Sequence, residues 1–252
     1  MKGIVSLIFI LISFWANAQN EALFNNATTA YNSGEYEKAI ENYLEIIGNG
    51  QHSPELYFNL GNAYYKTNQI APSIYYYEKA LLLRPNDPEI TTNLGYAKNM
   101  TLDAIVPTPR TGLGRIFEGI TGFLSFEQWS YAAVTLMILF VLFYLAFHFA
   151  SYATHKRIAF VSAFICFAGS VLSIALAYNG YTVFKENRPA IVFKDEIIVK
   201  SEPNNRSQET FRIHEGTKVN VLDSLGDWNK IELLDGKTGW LPSAGIKQIR
   251  DF

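Results

Sequence analysis

NLGNAYYK, residues 59–66, returns in altered form as NLGYAKNM at residues 93–100. Gly61 and Gly95 stand 34 positions apart, and 34 positions before Gly61 is Ala27, another very small residue. A fixed interval of this size is the mark of stacked repeats, in which each unit buries its apolar face on the next. The echo therefore predicts a structural period: Gly61 and Gly95 at close helix approaches, Leu60 and Leu94 in the core.

Counted from Pro54, the second unit places Tyr57, Leu60, Gly61, Tyr64, Tyr77, Ala80 and Pro85 in a pattern that resembles a tetratricopeptide repeat, with Ser73 where alanine is usual. The first unit supplies Leu23, Ala27, Ala39 and Tyr43, and GEYEKAIENY reads as its turn and second helix. The third keeps Leu94 and Gly95 until the pattern stops at Ala104-Ile105-Val106-Pro107. The expectation is two full repeats and a closing helix over residues 20–105. On the inner face of the first helix of each unit lie Thr28, Tyr31, Phe58, Asn62, Tyr65, Lys66, Tyr96 and Asn99. Rings supply contact area and amides bond a peptide backbone, so these eight are the candidate groove for an extended peptide. The other reading leaves the tyrosines as cover for the core.

The chain has 252 residues and a formal net charge of -2, which gives no basic footprint for nucleic acid. Lys2, an apolar run from Ile4 to Trp15, and Ala16-Asn17-Ala18 read as a secretory signal peptide over residues 1–18, with cleavage expected after Ala18. An uncleaved anchor would also leave residue 20 onward outside. The single cysteine, Cys166, rules out internal disulfides, so exported modules must be held by packing.

After VPTPRTGLG, residues Ile116, Phe117, Ile120, Phe123 and Leu124 recur at helical spacing and Trp129 follows. Residues 106–129 are therefore expected to form a linker and a helix lying at the membrane surface. Residues 130–153 and 158–179 are free of internal charge over about 20 positions each, enough to cross a bilayer. Between them Thr154-His155-Lys156-Arg157 reads as a short cytoplasmic loop, whose charges agree with the positive-inside tendency. Ser162, Cys166, Ser170, Ser173 and Ala177 form a stripe of small side chains on the second span. Such a stripe packs either within the hairpin or on a partner's helix. With a cleaved leader, both flanking modules fall on the exported side of the membrane.

Over residues 189–252 the period becomes two: Val219 and Val221 alternate with Lys218 and Asn220, Ile231 and Leu233 with Lys230 and Glu232. Asp235-Gly236 marks a hairpin turn. Gly216, Trp228, Gly239 and Trp240 resemble the most recognisable positions of bacterial SH3 domains, which implies a small all-β barrel. That resemblance also implies cell-wall peptide or protein ligands near Trp228 and Trp240, whereas packing alone makes them closures of a small core.

The four histidines lie in different segments and no phosphate loop, nucleophile elbow or carboxylate pair is visible, so no catalytic residue, metal or cofactor is expected. The order of signal peptide, tetratricopeptide repeats, membrane hairpin and SH3 barrel resembles the BatE-like proteins of the Bacteroides aerotolerance (Bat) operons. This resemblance implies a non-catalytic envelope scaffold that works with von Willebrand A-domain membrane proteins and, indirectly, a MoxR-type ATPase. The alternative is a peptidoglycan-binding sensor or anchor that acts through the SH3 domain.

Overall fold

The computed structural model describes residues 19–106, 112 and 119–250; the expected signal peptide, and Ile116 and Phe117 of the expected surface helix, lie outside these residues. The chain divides into two compact units, and the first is discontinuous: Met1–Pro107 with Arg188–Phe252, against Thr108–Asn187 for the second.

The first unit begins with five helices: α1 (residues 19–32), α2 (Tyr36–Gly48), α3 (Pro54–Lys66), α4 (Ile70–Leu83) and α5 (Pro88–Lys98). Local chemistry sets their starts. Ser53 caps α3 by accepting from the Leu56 N–H at 3.1 Å, and Asp87 caps α5 by accepting from Glu89 and Ile90 at 2.9 and 3.2 Å. A proline follows each cap at the first helical position, where its missing N–H costs nothing. The turn between α1 and α2 uses Gly34 at φ 81°, and 34 residues on the turn between α3 and α4 uses Asn68 at φ 58°. Both residue types tolerate the left-handed region.

Gly61 is the tight point of the stack. A Cβ there would stand 2.7 Å from Cδ1 of Tyr77, and the Ser73 hydroxyl donates to the Gly61 carbonyl at 2.9 Å. Gly95 does not repeat this role: a Cβ added to it would meet nothing within 4 Å. The expectation of a second close approach is corrected for a physical reason. Among the described residues no helix packs on that side of α5, and the 34-residue counterparts of Tyr57 and Tyr64 are the exposed polar residues Thr91 and Lys98. The closing helix is a polar cap on the stack.

Seven strands follow: β1 (Pro189–Val192), β2 (Glu196–Lys200), β3 (Glu209–His214), β4 (Lys218–Leu225), β5 (Trp228–Glu232), β6 (Thr238–Pro242) and β7 (Ile246–Gln248). They form one antiparallel sheet in the order β3-β2-β6-β5-β4-β1-β7. Inward residues from all seven, among them Val192, Val199, Ile213, Val221, Ile231, Leu241 and Ile246, share one apolar core. The sheet therefore wraps around its own interior, as an SH3-like fold requires. The turn between β5 and β6 uses Gly236 at φ 85°, with the Lys237 N–H donating to the Asp235 carboxylate at 3.1 Å.

Strand β1 is buried on both faces. Ala190 and Val192 point into the sheet's interior, while Ile191, fully buried, joins Ile249 in the apolar cluster of Ile70, Ile74, Ile90, Leu94 and Ala97 from α4 and α5. Repeats and sheet thus share a core rather than standing as separate modules. At the seam Gly216, at φ 81°, has Thr101 Cγ2 and Ile74 Cδ1 at 2.8 and 3.0 Å from the position its Cβ would take. Phe193 meets Tyr75 edge-on, with ring centroids 5.5 Å apart.

The second unit carries two long helices, α6 (Phe126–Phe149) and α7 (Ala153–Glu186). Both are long and apolar enough to cross a membrane. Ser125 and Gln128 form a reciprocal capping box at 3.1 and 3.0 Å, which starts α6 four residues before the expected span. Trp129 consequently lies inside α6, its indole donating to the Thr121 carbonyl at 3.4 Å; residues 119–121 of the expected surface helix are helical, and residues 113–118 lie outside the described residues. The connection between the helices is residues 150–152, so Thr154-His155-Lys156-Arg157 is the first turn of α7 rather than a loop.

The contrast between the two glycines is testable by thermal unfolding of the detergent-solubilised chain. Gly61→Ala is expected to lose about 1–3 kcal/mol through the clash with Tyr77. Gly95→Ala is expected to be neutral or to gain up to about 1 kcal/mol by removing helical glycine entropy. Equal effects at both positions would contradict the packing described.

Candidate interaction surfaces

The helical geometry places the eight groove candidates in two groups. Thr28, Phe58 and Asn62 are engaged in the fold. The Thr28 hydroxyl donates to the Phe24 carbonyl at 2.9 Å and shares a hydrogen bond with Tyr43 at 3.2 Å. Phe58 packs against Tyr77 with ring centroids 5.9 Å apart. Asn62 is a node joining three helices: its Oδ1 accepts from the Tyr77 hydroxyl at 2.6 Å and from Asn93 Nδ2 at 2.9 Å. Burial pushes the Tyr77 hydroxyl well above the ordinary tyrosine value, so it stays protonated and can donate that bond. Tyr31 and Tyr65 are half-buried, Tyr31 lying edge-on to Tyr36. Lys66, Tyr96 and Asn99 are exposed, with Tyr96 57% accessible. These three, with the open edges of Tyr31 and Tyr65, are the surface able to meet a ligand. The sequence pattern missed Asn93, whose only sign was its place 31 residues after Asn62.

On the sheet, cross-strand partners share a face. The pairs Trp228↔Pro242, Lys230↔Trp240 and Lys200↔Trp240 therefore put both tryptophans, two lysines and a proline on one outer face. Both tryptophans are half-buried there, outside the core cluster. Trp228 lines a cleft of about 290 Å³ with Lys194, Glu196, Lys200, Asn205 and Pro242. Arg212 holds the Glu196 carboxylate at 2.6 Å, so the cleft is net cationic. The lysines went unnoticed in the sequence because strand alternation alone does not say which polar face carries a concavity.

The seam between repeats and sheet carries two paired acids, Glu78 buried and Asp103 partly buried. Glu78, 7% exposed, accepts from Lys98 at 2.9 Å on one oxygen and from Lys218 at 2.6 Å on the other. Burial raises its pKa, but Lys218 and Lys98 together outweigh burial and leave it below the ordinary carboxylate value. Asp103 accepts from the His214 N–H at 2.6 Å, from His214 Nδ1 at 2.8 Å and from the Thr217 hydroxyl at 2.5 Å. Burial again raises its pKa, while the bonds from Thr217 and His214 bring the net shift below the usual aspartate value. None of these residues was visible as a pair in the sequence, since Asp103 and Thr217 lie 114 positions apart.

The small-residue stripe packs within the hairpin. Cys166, Ser170 and Ser173 are buried, and the Ser170 hydroxyl donates to the Ala133 carbonyl of α6 at 2.9 Å. Ser162 and Ala177, at the ends of the stripe, are half-exposed. Among the described residues no three His, Cys, Asp or Glu side chains converge to hold a metal ion.

Residues 195–247 match the bacterial SH3 domain family, and residues 54–87 match the tetratricopeptide repeat family. No curated protein matches the sequence. A solved structure, the TPR2AB-domain:pHSP90 complex of yeast Sti1, is 18% identical over 66% of this chain and 59% of that chain, with a TM-score of 0.29. The chain thus spans less than two thirds of that relative. The two family matches make the chain a carrier of interaction modules, of types that are typically non-catalytic, with two helices able to span a membrane.

Two measurements check these assignments. Asn62→Ala is expected to destabilise the repeats by about 1–2 kcal/mol, because it leaves the buried Tyr77 hydroxyl without its acceptor. A variant that lost ligand while unfolding at the wild-type temperature would contradict the nodal role. The depressed pKa values of Glu78 and Asp103 mean that their stabilisation is complete above the ordinary carboxylate range. It is lost as pH falls through their lower folded values. The unfolding temperature should therefore be flat from neutral pH down to about pH 5 and then fall, and Glu78→Gln should flatten the fall.

Proposed function

We propose that the chain is a non-catalytic adaptor of a bacterial inner membrane that binds partner proteins through the exposed repeat surface around Lys66, Tyr96 and Asn99. In this reading it belongs to a Bat-type complex, with von Willebrand A-domain membrane proteins as partners and a MoxR-type ATPase acting through them. The supporting observation is the shared core of repeats and sheet. Ile191 and Ile249 lie among α4 and α5 side chains, so two interaction surfaces are held on one body. A body built from both flanks of the hairpin requires both flanks on the same side of the membrane. Two crossings meet that requirement without appeal to the leader. With residues 1–18 as an exported and removed leader, that side is the periplasm, and Lys156 and Arg157 face the cytoplasm.

The second reading rests on the cationic cleft of Trp228, Lys194 and Lys200. Its ammonium groups and indole suit the carboxylates and backbone of a cell-wall peptide, which would make the sheet a peptidoglycan contact.

Affinity recovery of the full chain from gently solubilised native membranes separates the two. Recovery of A-domain membrane proteins, reduced by Lys66→Ala/Tyr96→Ala, is the outcome expected of the adaptor. Recovery of cell-wall fragments alone, unchanged by that pair and lost with Trp228→Ala, would favour the second reading. For topology, Lys66→Cys and Lys230→Cys in a Cys166→Ser background should both react with an impermeant thiol reagent from the periplasmic side. Labelling from opposite sides would contradict the shared body.

A further inference from the structure

We infer that the half of the hairpin nearer its flanking modules holds one phospholipid by an acyl chain, in the groove that α6 and α7 leave open between Phe126 and Met137 on one helix and Ser170 and Tyr181 on the other. The inference rests on the proposed crossing of a bilayer by these two helices. The groove encloses about 610 Å³, and small side chains make the room: the buried Ala133 and Ser170 line its depth, and Ala177 stands on its wall. The helices touch at both ends of it. At the mouth a Cβ on Gly180 would stand 3.0 Å from Cβ of Phe126, and at the far end a Cβ on Gly169 would stand 3.2 Å from Leu136 Cδ1.

Depth and chemistry together select the occupant. Glu127, beside Phe126, and Lys185, one turn beyond Tyr181, are exposed charges that fix the mouth at the membrane interface. Trp129, Tyr178 and Tyr181 suit the same level. From Phe126 to Met137, and from Tyr181 back to Ser170, the helical rise is about 16 Å. Half the hydrocarbon core of a bilayer is about 15 Å. The groove therefore runs from the interface to the midplane, which is the path of one acyl chain of one leaflet. Deeper in, the space beside the seam falls to about 280 Å³ among ring pairs, Phe140 with Phe167 and Phe147 with Phe160, at centroid distances of 5.4 and 5.8 Å. A partner's transmembrane helix, about 10–12 Å wide and continuous across the bilayer, would be held off by those rings. The groove also gives its occupant no polar grip. The Ser130 hydroxyl donates to the Phe126 carbonyl at 2.8 Å and the Ser170 hydroxyl to the Ala133 carbonyl at 2.9 Å, so both are spent on the helices themselves. What is left is an apolar trough with an aromatic mouth, which fits a hydrocarbon tail whose ester and phosphate groups lie at the tyrosines.

The test reconstitutes the full chain into phosphatidylethanolamine/phosphatidylglycerol vesicles, re-extracts it in mild detergent and reads its mass by native mass spectrometry. The expected species is the chain plus one phospholipid. Ala177→Leu, which fills the groove from α7, and Ser130→Leu, which fills it from α6, should each lose the lipid. Ala175→Leu, the same change at an exposed position off the groove, should keep it, and circular dichroism should show wild-type helix content in all three. A wild-type chain without lipid, or equal retention in the three variants, would overturn the inference. So would a lipid-free dimer dispersed by Ala177→Leu, which would give the groove to a second copy. In each of these outcomes a chain that resists alkaline extraction from the vesicles leaves the proposed crossing standing; a chain released by alkali would overturn both.

Discussion

The outer face of β1 against α4 and α5 is the contact on which the rest of the first unit depends. Ile191 and Ile249 are almost wholly removed from water there, and burial of each such side chain contributes about 1.5–3 kcal/mol. The apolar contact is locked by polar groups at its rim. Glu78 draws in Lys98 from the repeats and Lys218 from the sheet, and Asp103 receives three bonds from His214 and Thr217. A buried acid is costly unless it is paired and hydrogen-bonded, so Glu78 favours the docked arrangement that brings Lys98 and Lys218 to it, and the bonds to the partly buried Asp103 add to it.

This contact also governs where the chain leaves and re-enters the first unit. Asp103 precedes the second unit in the chain and is fixed to the sheet. Arg188 stands just after it and is fixed as well, donating to the carbonyls of Val221 and Leu222 at 3.0 and 2.5 Å. The hairpin is thus inserted into one folded body, with both ends of the insertion held on the same sheet. Repeat arrays need a polar cap at their open end. Here α5 supplies it with Thr91 and Lys98, while the sheet seals the apolar flank that α4 and α5 leave uncovered.

Burial then decides which candidate residues remain for partners. Asn62 looks like a ligand amide in the sequence, yet both of its bonds hold the helices together. Lys66, Tyr96 and Asn99 share its helical face but have no comparable duty. The small stripe of α7 is likewise largely spent on α6 through Cys166, Ser170 and Ser173. The cationic cleft beside Trp228 lies on a different face from the β1 contact, so docking leaves it open.

The sequence by itself determined the elements. The 34-residue echo set the helix pairs, Gly61 and Leu60 fell where the period put them, and strict alternation gave the strands. Charge-free runs gave the two long helices. These follow from local periodicity, which each segment carries without its neighbours. Only the tertiary structure decided that repeats and sheet are one body, that Gly95 faces open space, and that Asn62 is structural. The reason is that each of these depends on which surfaces meet. Nothing in the run Pro189-Ala190-Ile191-Val192 named α4 and α5 as the covering of its outer face. Partners as far apart as Asp103 and Thr217 leave no local pattern, and a shared core can be read only once the chain has brought them together.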